Sequence, residues 1–306
     1  MTILNSYKLT AAAILLLASG SVSAQGTATD PSVAASQKVV NATWQRSQTN
    51  DGAFDRVRHE SVPITWQRIR EDDILWKKRV WREIDTREKQ NVAFRYAGDE
   101  SSGGGMFIEI LVDGLKTGKI KGYKQFDDRF TTQLSKEEIM ESVAGKTDTT
   151  LVVDPTTNEE KQMIVHRDFD PNGIRKYRIK EDWIFDRNQG QMVVRIIGIA
   201  PVKDVVGDDG VYRGSQAMFW LYYPDIRNLL AQYEVYNPQN DIARYTWDEF
   251  FESRQFASKI TKVSNPFGTE FKDTHEQSPY GSMESLYDSK HAAEEIFNKE
   301  VDMWVY

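Results

Sequence analysis

Residues 73–91 read DILWKKRVWREIDTREKQN. Two tryptophans, six basic and four acidic side chains share these nineteen positions. Such a stretch binds nucleic acid, docks on a membrane, or buries one face and displays the other. Its periodicity predicts a helix. Ile69, Trp76, Val80 and Ile84 follow at intervals of seven, four and four, which make one stripe on a helical surface. Asp73 with Lys77, Glu83 with Arg87 and Asp85 with Lys89 are i,i+4 pairs with the acid first, the better orientation. Trp81 lies outside the stripe and needs another explanation.

The chain as a whole narrows the choice. It has 306 residues and a formal charge of −7, which makes it a poor non-specific ligand for DNA or anionic lipid. It opens with MTILNSYK, an apolar run LTAAAILLLASGSV, and small residues ahead of Ala24 and Gln25. This is the pattern of a secretory signal peptide over residues 1–24, cleaved between Ala24 and Gln25. A bacterial lipoprotein needs Cys after the cleavage point, and the chain contains none. Without disulfides the exported protein must rely on its core, and a chain of this length buries roughly three quarters of its unfolded surface. These features imply a periplasmic location.

Residues 25–62 are rich in Ser, Thr, Ala, Asn and Gln and predict a flexible arm. Residues 63–306 predict one globular domain of the α+β class, with a mostly antiparallel sheet and several amphipathic helices. MFIEILVDG, residues 106–114, reads as a strand. IRKYRIKEDWIFD and QMVVRIIGIAPV alternate as a hairpin, and AMFWLYYPD reads as a further strand ended by Pro224. If Asp186 pairs with Gly190, Glu181 lies opposite Arg195 on the same face, which predicts a cross-strand ion pair. Ser135 with Glu138 and Thr246 with Glu249 are capping boxes, each bracketed by an apolar staple. The second starts a helix carrying Trp247, Phe250, Phe251, Arg254, Ala257 and Ile260. The last helix is expected over about 289–302, with Ala293, Ile296, Phe297 and Val301 on one side.

No catalytic constellation emerges. HRDFDPNG, residues 166–173, approaches a kinase catalytic loop, but Gly173 stands where Asn is required and no companion motif follows. Asp168, Asp170 and Asn172 match the first half of a calcium loop, a weak metal candidate, yet the twelfth position is Ile179 rather than a bidentate Glu. A tight turn accounts for the same residues. The four histidines are scattered and no cofactor motif is present.

Longer motifs identify a relationship. VWREIDTREKQN, KEDWIFDR, RIIGIAP, WLYYPDIRNLLA, NDIARYTWDEFFESRQFASKI, KVSN and the ending DMWVY occur in the order characteristic of one family. The chain resembles the GldN/PorN family of the type IX secretion system of Bacteroidetes, from about Pro63 to Tyr306. It departs from the family at NPFGTEF, residues 265–271. The resemblance implies a non-enzymatic periplasmic subunit, self-associated in a ring with a lipoprotein such as GldK or PorK beneath the outer membrane. It also implies a link to inner-membrane motor subunits such as GldM or PorM, and a need for the ring in protein secretion and, in gliding species, motility. In that setting Trp81, with Lys78 and Arg82, either faces a neighbouring ring subunit or the lipoprotein, as aromatic and arginine side chains anchor interfaces, or packs under a loop of its own domain, as helical aromatics usually belong to a core. The alternative expectation is a periplasmic glycan- or protein-binding module.

Overall fold

The computed structural model describes residues 62–97, 105–144, 148–153, 160–165, 169–206, 211–237, 239–240 and 245–304. The leader, its cleavage site at Ala24 and Gln25, and most of the arm lie outside the described residues. All that is described belongs to one compact unit.

Residues 73–91 do not form a helix. Ile74–Asp85 is a twelve-residue strand, β1. A spacing of four is even, so Trp76, Val80 and Ile84 share one side of a strand as well as they share a helical stripe. Pairing decides the matter. Lys77–Asp85 run antiparallel to Lys176–Ile184, from Asp85 opposite Lys176 to Lys77 opposite Ile184. That second strand, β5 (Ile174–Asp186), forms the expected hairpin with β6 (Gln191–Val206).

The sheet grows outward from this pair. Its order is β11–β1–β5–β6–β8–β2, with β7 (Tyr212–Ala217) also on β6. β11 is Lys259–Val263, β8 is Trp220–Tyr222 and β2 is Gly122–Tyr123. Every pairing is antiparallel. Two separate small ribbons pair β3 (Asp148–Val153) with β4 (Glu160–Val165), and β9 (Glu234–Val235) with β10 (Tyr245–Thr246). The fold is α+β with a mostly antiparallel sheet, as the sequence predicts.

The expected strand at 106–114 is instead the start of helix α1, Phe107–Thr117. An apolar run with buried residues at Phe107, Ile108, Leu111 and Leu115 suits a helix sunk in the core. Glu109 marks its start by accepting the Met106 N–H at 2.7 Å. Gly118, at φ 75°, ends it in the left-handed conformation that glycine adopts without steric cost. Both predicted capping boxes are formed. The Ser135 N–H reaches Glu138 Oε2 at 2.8 Å at the head of α2, Lys136–Ala144. The Thr246 N–H reaches Glu249 Oε2 at 2.7 Å at the head of α4, Trp247–Glu252. The Tyr245 staple stacks on Phe250. α4 is shorter than expected: Arg254 takes φ 54° and stops it, and Ile260 belongs to β11.

The main core lies against the side of the sheet that carries Ile84, Tyr177 and Ile179. α1, α4 and α3 (Tyr223–Leu230) close over it. Phe94, Phe107, Tyr177, Trp247, Phe250 and Phe251 form its aromatic centre, with Phe107 and Trp247 ring centroids 4.4 Å apart. Two short connections are tied down by polar anchors. Asp248, fully buried, accepts from Arg227 Nε at 2.7 Å and from the Ile64 N–H at 2.8 Å, which fastens the segment leading into β1. Asn91, also fully buried, bonds to both N–H and C=O of Ala257 and to the Asp85 carbonyl.

After a short helix α5, Phe271–Thr274, comes α6, Gly281–Trp304, longer at its start than the sequence predicts. It covers the free edge of β11, where the Ile260 N–H donates to Ser289 Oγ at 3.0 Å. This contact blunts an exposed strand edge. Ser289, Ala292 and Ile296 are its buried residues, whereas Ala293, Phe297 and Val301 are exposed rather than packed with Ile296.

Asn91 satisfies three backbone groups at once. Replacing it with Ala strands them in the interior, so Asn91→Ala is expected to cost about 2–4 kcal/mol in urea unfolding. Wild-type stability in that variant would contradict the anchoring role.

Candidate interaction surface

The alternation of β1 sorts its side chains onto two surfaces. Trp76, Val80, Arg82 and Ile84 lie on the core side. Lys77, Arg79, Trp81 and Glu83 lie on the other, opposite Lys180, Asp182 and Arg178 of β5 and Lys259 and Lys262 of β11. Lys78, Trp81 and Arg82 therefore do not form one patch. Arg82 turns inward and donates to Ser258 Oγ at 2.8 Å, and burial lowers its pKa. Lys78 is on the same side, opposite Trp183. Trp81 stands alone among the three on the second surface.

Trp81 is half-buried, packed beside Ala200 and Trp220. Lys262 Nζ lies 4.7 Å from its ring centroid and Lys180 Nζ 5.5 Å, both as cation–π contacts. Lys180 is itself buried, which lowers its pKa, and Asp128 opposes that shift from 3.3 Å. Asp128 belongs to a loop strapped across the sheet. Its neighbour Asp127 accepts from the N–H groups of Arg129, Thr131 and Thr132 and from the Thr131 hydroxyl. The Thr131 hydroxyl bond leads the backbone bonds in lowering the Asp127 pKa to about 2. Phe130 takes φ 61° there, a strain of roughly 1–2 kcal/mol for a residue with a Cβ. Its ring fits because position 198 is glycine: a Cβ there would sit 2.5 Å from Phe130 Cζ.

Beside Trp81, Arg79 and Lys77 converge on Asp182, at 2.6 and 2.7 Å. Burial pushes the Asp182 carboxyl up, but the hydrogen bonds from Arg79 and Lys77 outweigh it and the pKa ends below the ordinary value. Two loop tips rise near this surface. One bears Phe126 in the Asp127 loop, 88% exposed. The other bears Phe267, 87% exposed, next to Gly268, whose Cβ position is 3.9 Å from Lys262 Nζ.

The predicted Glu181–Arg195 pair does not form. The hairpin turn has four residues and pairs Asp186 with Gln191, not with Gly190. That one-residue difference puts Arg195 opposite Asp182 and Ile196 opposite Glu181. Glu181, fully buried, is held instead by Arg254 at 2.9 Å and by the Trp183 indole N–H at 3.1 Å. Arg195 reaches the Gln67 carbonyl and lies over Trp66 at 4.9 Å.

Asp168 lies outside the described residues. Asp170 and Asn172 form the tight turn: the Asp170 carboxylate accepts the Asn172 N–H at 3.0 Å. Among the described residues no group of three His, Asp or Glu side chains is placed to hold a metal ion. A cleft of about 660 Å³ opens where α5 and the start of α6 meet the sheet. Several of its charged side chains are paired. Glu83 takes Lys176 and Lys259, Arg178 takes Glu270, and His275 sits between Glu284 and Asp288.

The family described as gliding motility associated protein GldN matches residues 69–305. The chain belongs to this family. It is accordingly a component of the gliding motility and type IX secretion machinery, in a family of structural components. No curated protein matches the sequence. The matched region starts just before β1 and runs through α6, so it takes in Trp81, both phenylalanine loop tips and the Glu181–Arg254 pair. No described helix of this family member is long and apolar enough to cross a membrane.

Two ion pairs give distinct expectations. Arg254→Met leaves the Glu181 carboxylate buried without its cation and is expected to cost about 3–5 kcal/mol of unfolding free energy. A loss under 1 kcal/mol would contradict that role. Asp182→Asn is expected to cost about 1–3 kcal/mol at neutral pH. A depressed carboxyl pKa stabilises the fold above the unfolded value and loses that stabilisation as pH falls through the folded one. The gap between wild type and Asp182→Asn should therefore narrow below about pH 4. A gap independent of pH in urea titrations would refute the pairing.

Proposed function

We propose that this family member is a periplasmic, non-enzymatic structural subunit of the type IX secretion system. It self-associates in a ring with an outer-membrane lipoprotein of the GldK or PorK kind, which holds it at the inner face of that membrane. A GldM- or PorM-like motor subunit engages the ring. The signal-peptide pattern of residues 1–24 supports export, and the absence of a membrane-spanning helix among the described residues supports a peripheral attachment.

The observation that carries the assembly role is the surface around Trp81. A half-buried tryptophan flanked by lysines, with Phe126 and Phe267 standing almost fully exposed nearby, is an arrangement of anchors without cover. Exposed large aromatics in a charged rim mark protein contacts more than monomer surface.

Affinity purification of the tagged full-length chain from its native envelope tests this reading. The expected result is a particle many times the mass of one chain, containing a lipoprotein partner. A monomer with no partner after gentle crosslinking would overturn it.

A further inference from the structure

α6 carries an exposed apolar stripe that nothing in the described structure covers. Leu286, Ala293, Phe297, Val301 and Trp304 follow at intervals of seven, four, four and three. Phe297 is 63% exposed and Trp304 68%. On a helix this stripe lies roughly a quarter turn from the face of Ser289, Ala292 and Ile296 that packs on β11. Glu294 and Glu300 flank it, and the helix as a whole bears six carboxylates against two lysines.

Its charge selects its occupant. Two α6 helices laid stripe to stripe would bring like charges together, an unfavourable juxtaposition. A basic, aromatic surface is the complement, and this chain displays one although its net charge is −7. The outer side of β1, β5 and β11 shows Lys77, Arg79, Lys176, Arg178, Lys259 and Lys262 at least partly exposed, while Glu83 and Asp182 are buried among them and Lys180 lies buried against Asp128. Lys262 is free of any acidic partner among the described residues and rests only on the Trp81 ring. Phe267, next to Gly268 at Lys262, and Phe126, in the loop that brings Asp128 to Lys180, add exposed apolar surface to this side.

We infer that the α6 stripe of one copy docks on the Trp81 surface of a second copy. This inference rests on the ring reading above and assigns its copy-to-copy contact. Acid meets base, and Phe297 and Trp304 meet Trp81 and the two loop phenylalanines. The two patches lie on different elements, so the contact is head-to-tail. Each copy keeps one free α6 and one free Trp81 surface, and repetition closes a ring or extends a filament.

Because the chain has no cysteine, introduced thiols report this contact cleanly. Full-length Phe297→Cys and Lys262→Cys are made singly and together, and oxidised in the native particle. The two single variants, co-assembled, should form disulfide-linked dimers, and the double variant a ladder of linked copies. Neither single variant alone should link. Dimers from Phe297→Cys alone would mean that α6 pairs with itself and would overturn the inference. So would a large particle in which no variant links, and that result leaves the ring reading standing. A monomer in every sample would bring down both. Charge reversal is the second arm. Glu294→Lys or Lys262→Glu should each weaken self-association by roughly tenfold, and the two together should restore it. Folded single variants that associate like wild type would contradict the assignment.

Discussion

The antiparallel pairing of β1 with β5 is the constraint on which the rest depends. Successive side chains of a strand point to opposite sides, so one register assignment sorts twelve residues of β1 into two functions. Val80 and Ile84 complete cores, while Lys77, Arg79, Trp81 and Glu83 turn to the far side. The same pairing places Glu181 on the core side, where it must be neutralised. Arg254 does so from a left-handed backbone position that also ends α4. The charged surface and the buried ion pair are two results of one alternation.

The second surface is held in shape by side chains from outside the sheet. Asp127 gathers its own loop, which sets Phe130 against Gly198 and brings Asp128 to Lys180. Lys180 is thereby kept beside Trp81 despite its burial. Strain at Phe130 is offset by ring contacts with Tyr123, Trp220 and Tyr222. The surface is therefore preformed, which lowers the entropy lost when a partner binds.

Much of this was legible in the sequence, and what was not has physical causes. Both capping boxes announced their helices because the cap chemistry is local: Thr246 and Glu249 need only each other. The β5–β6 hairpin was legible from its alternation. Its register was not, because a four-residue turn with Gly190 at φ 61° and a three-residue turn look alike in sequence yet shift every pairing by one. β1 was misread because intervals of four satisfy helix and strand alike, and the inward Arg82 and Lys78 spoiled the alternation. α1 was misread because a buried helix shows little polar face. Lys180, Lys262 and Phe130 could not have been assigned to Trp81 at all, since they come from distant segments joined only by sheet order. Trp81 itself was visible, as the aromatic that fitted no stripe.

Family membership supplies the machinery in which the chain works, and its exposed aromatics supply a physical reason to assemble. Hydroxyl-radical footprinting of the free chain and of the native envelope particle tests that claim most directly. Trp81, Phe126 and Phe267 should be oxidised far more slowly in the particle than in the free chain. Equal oxidation of all three in both states would contradict it.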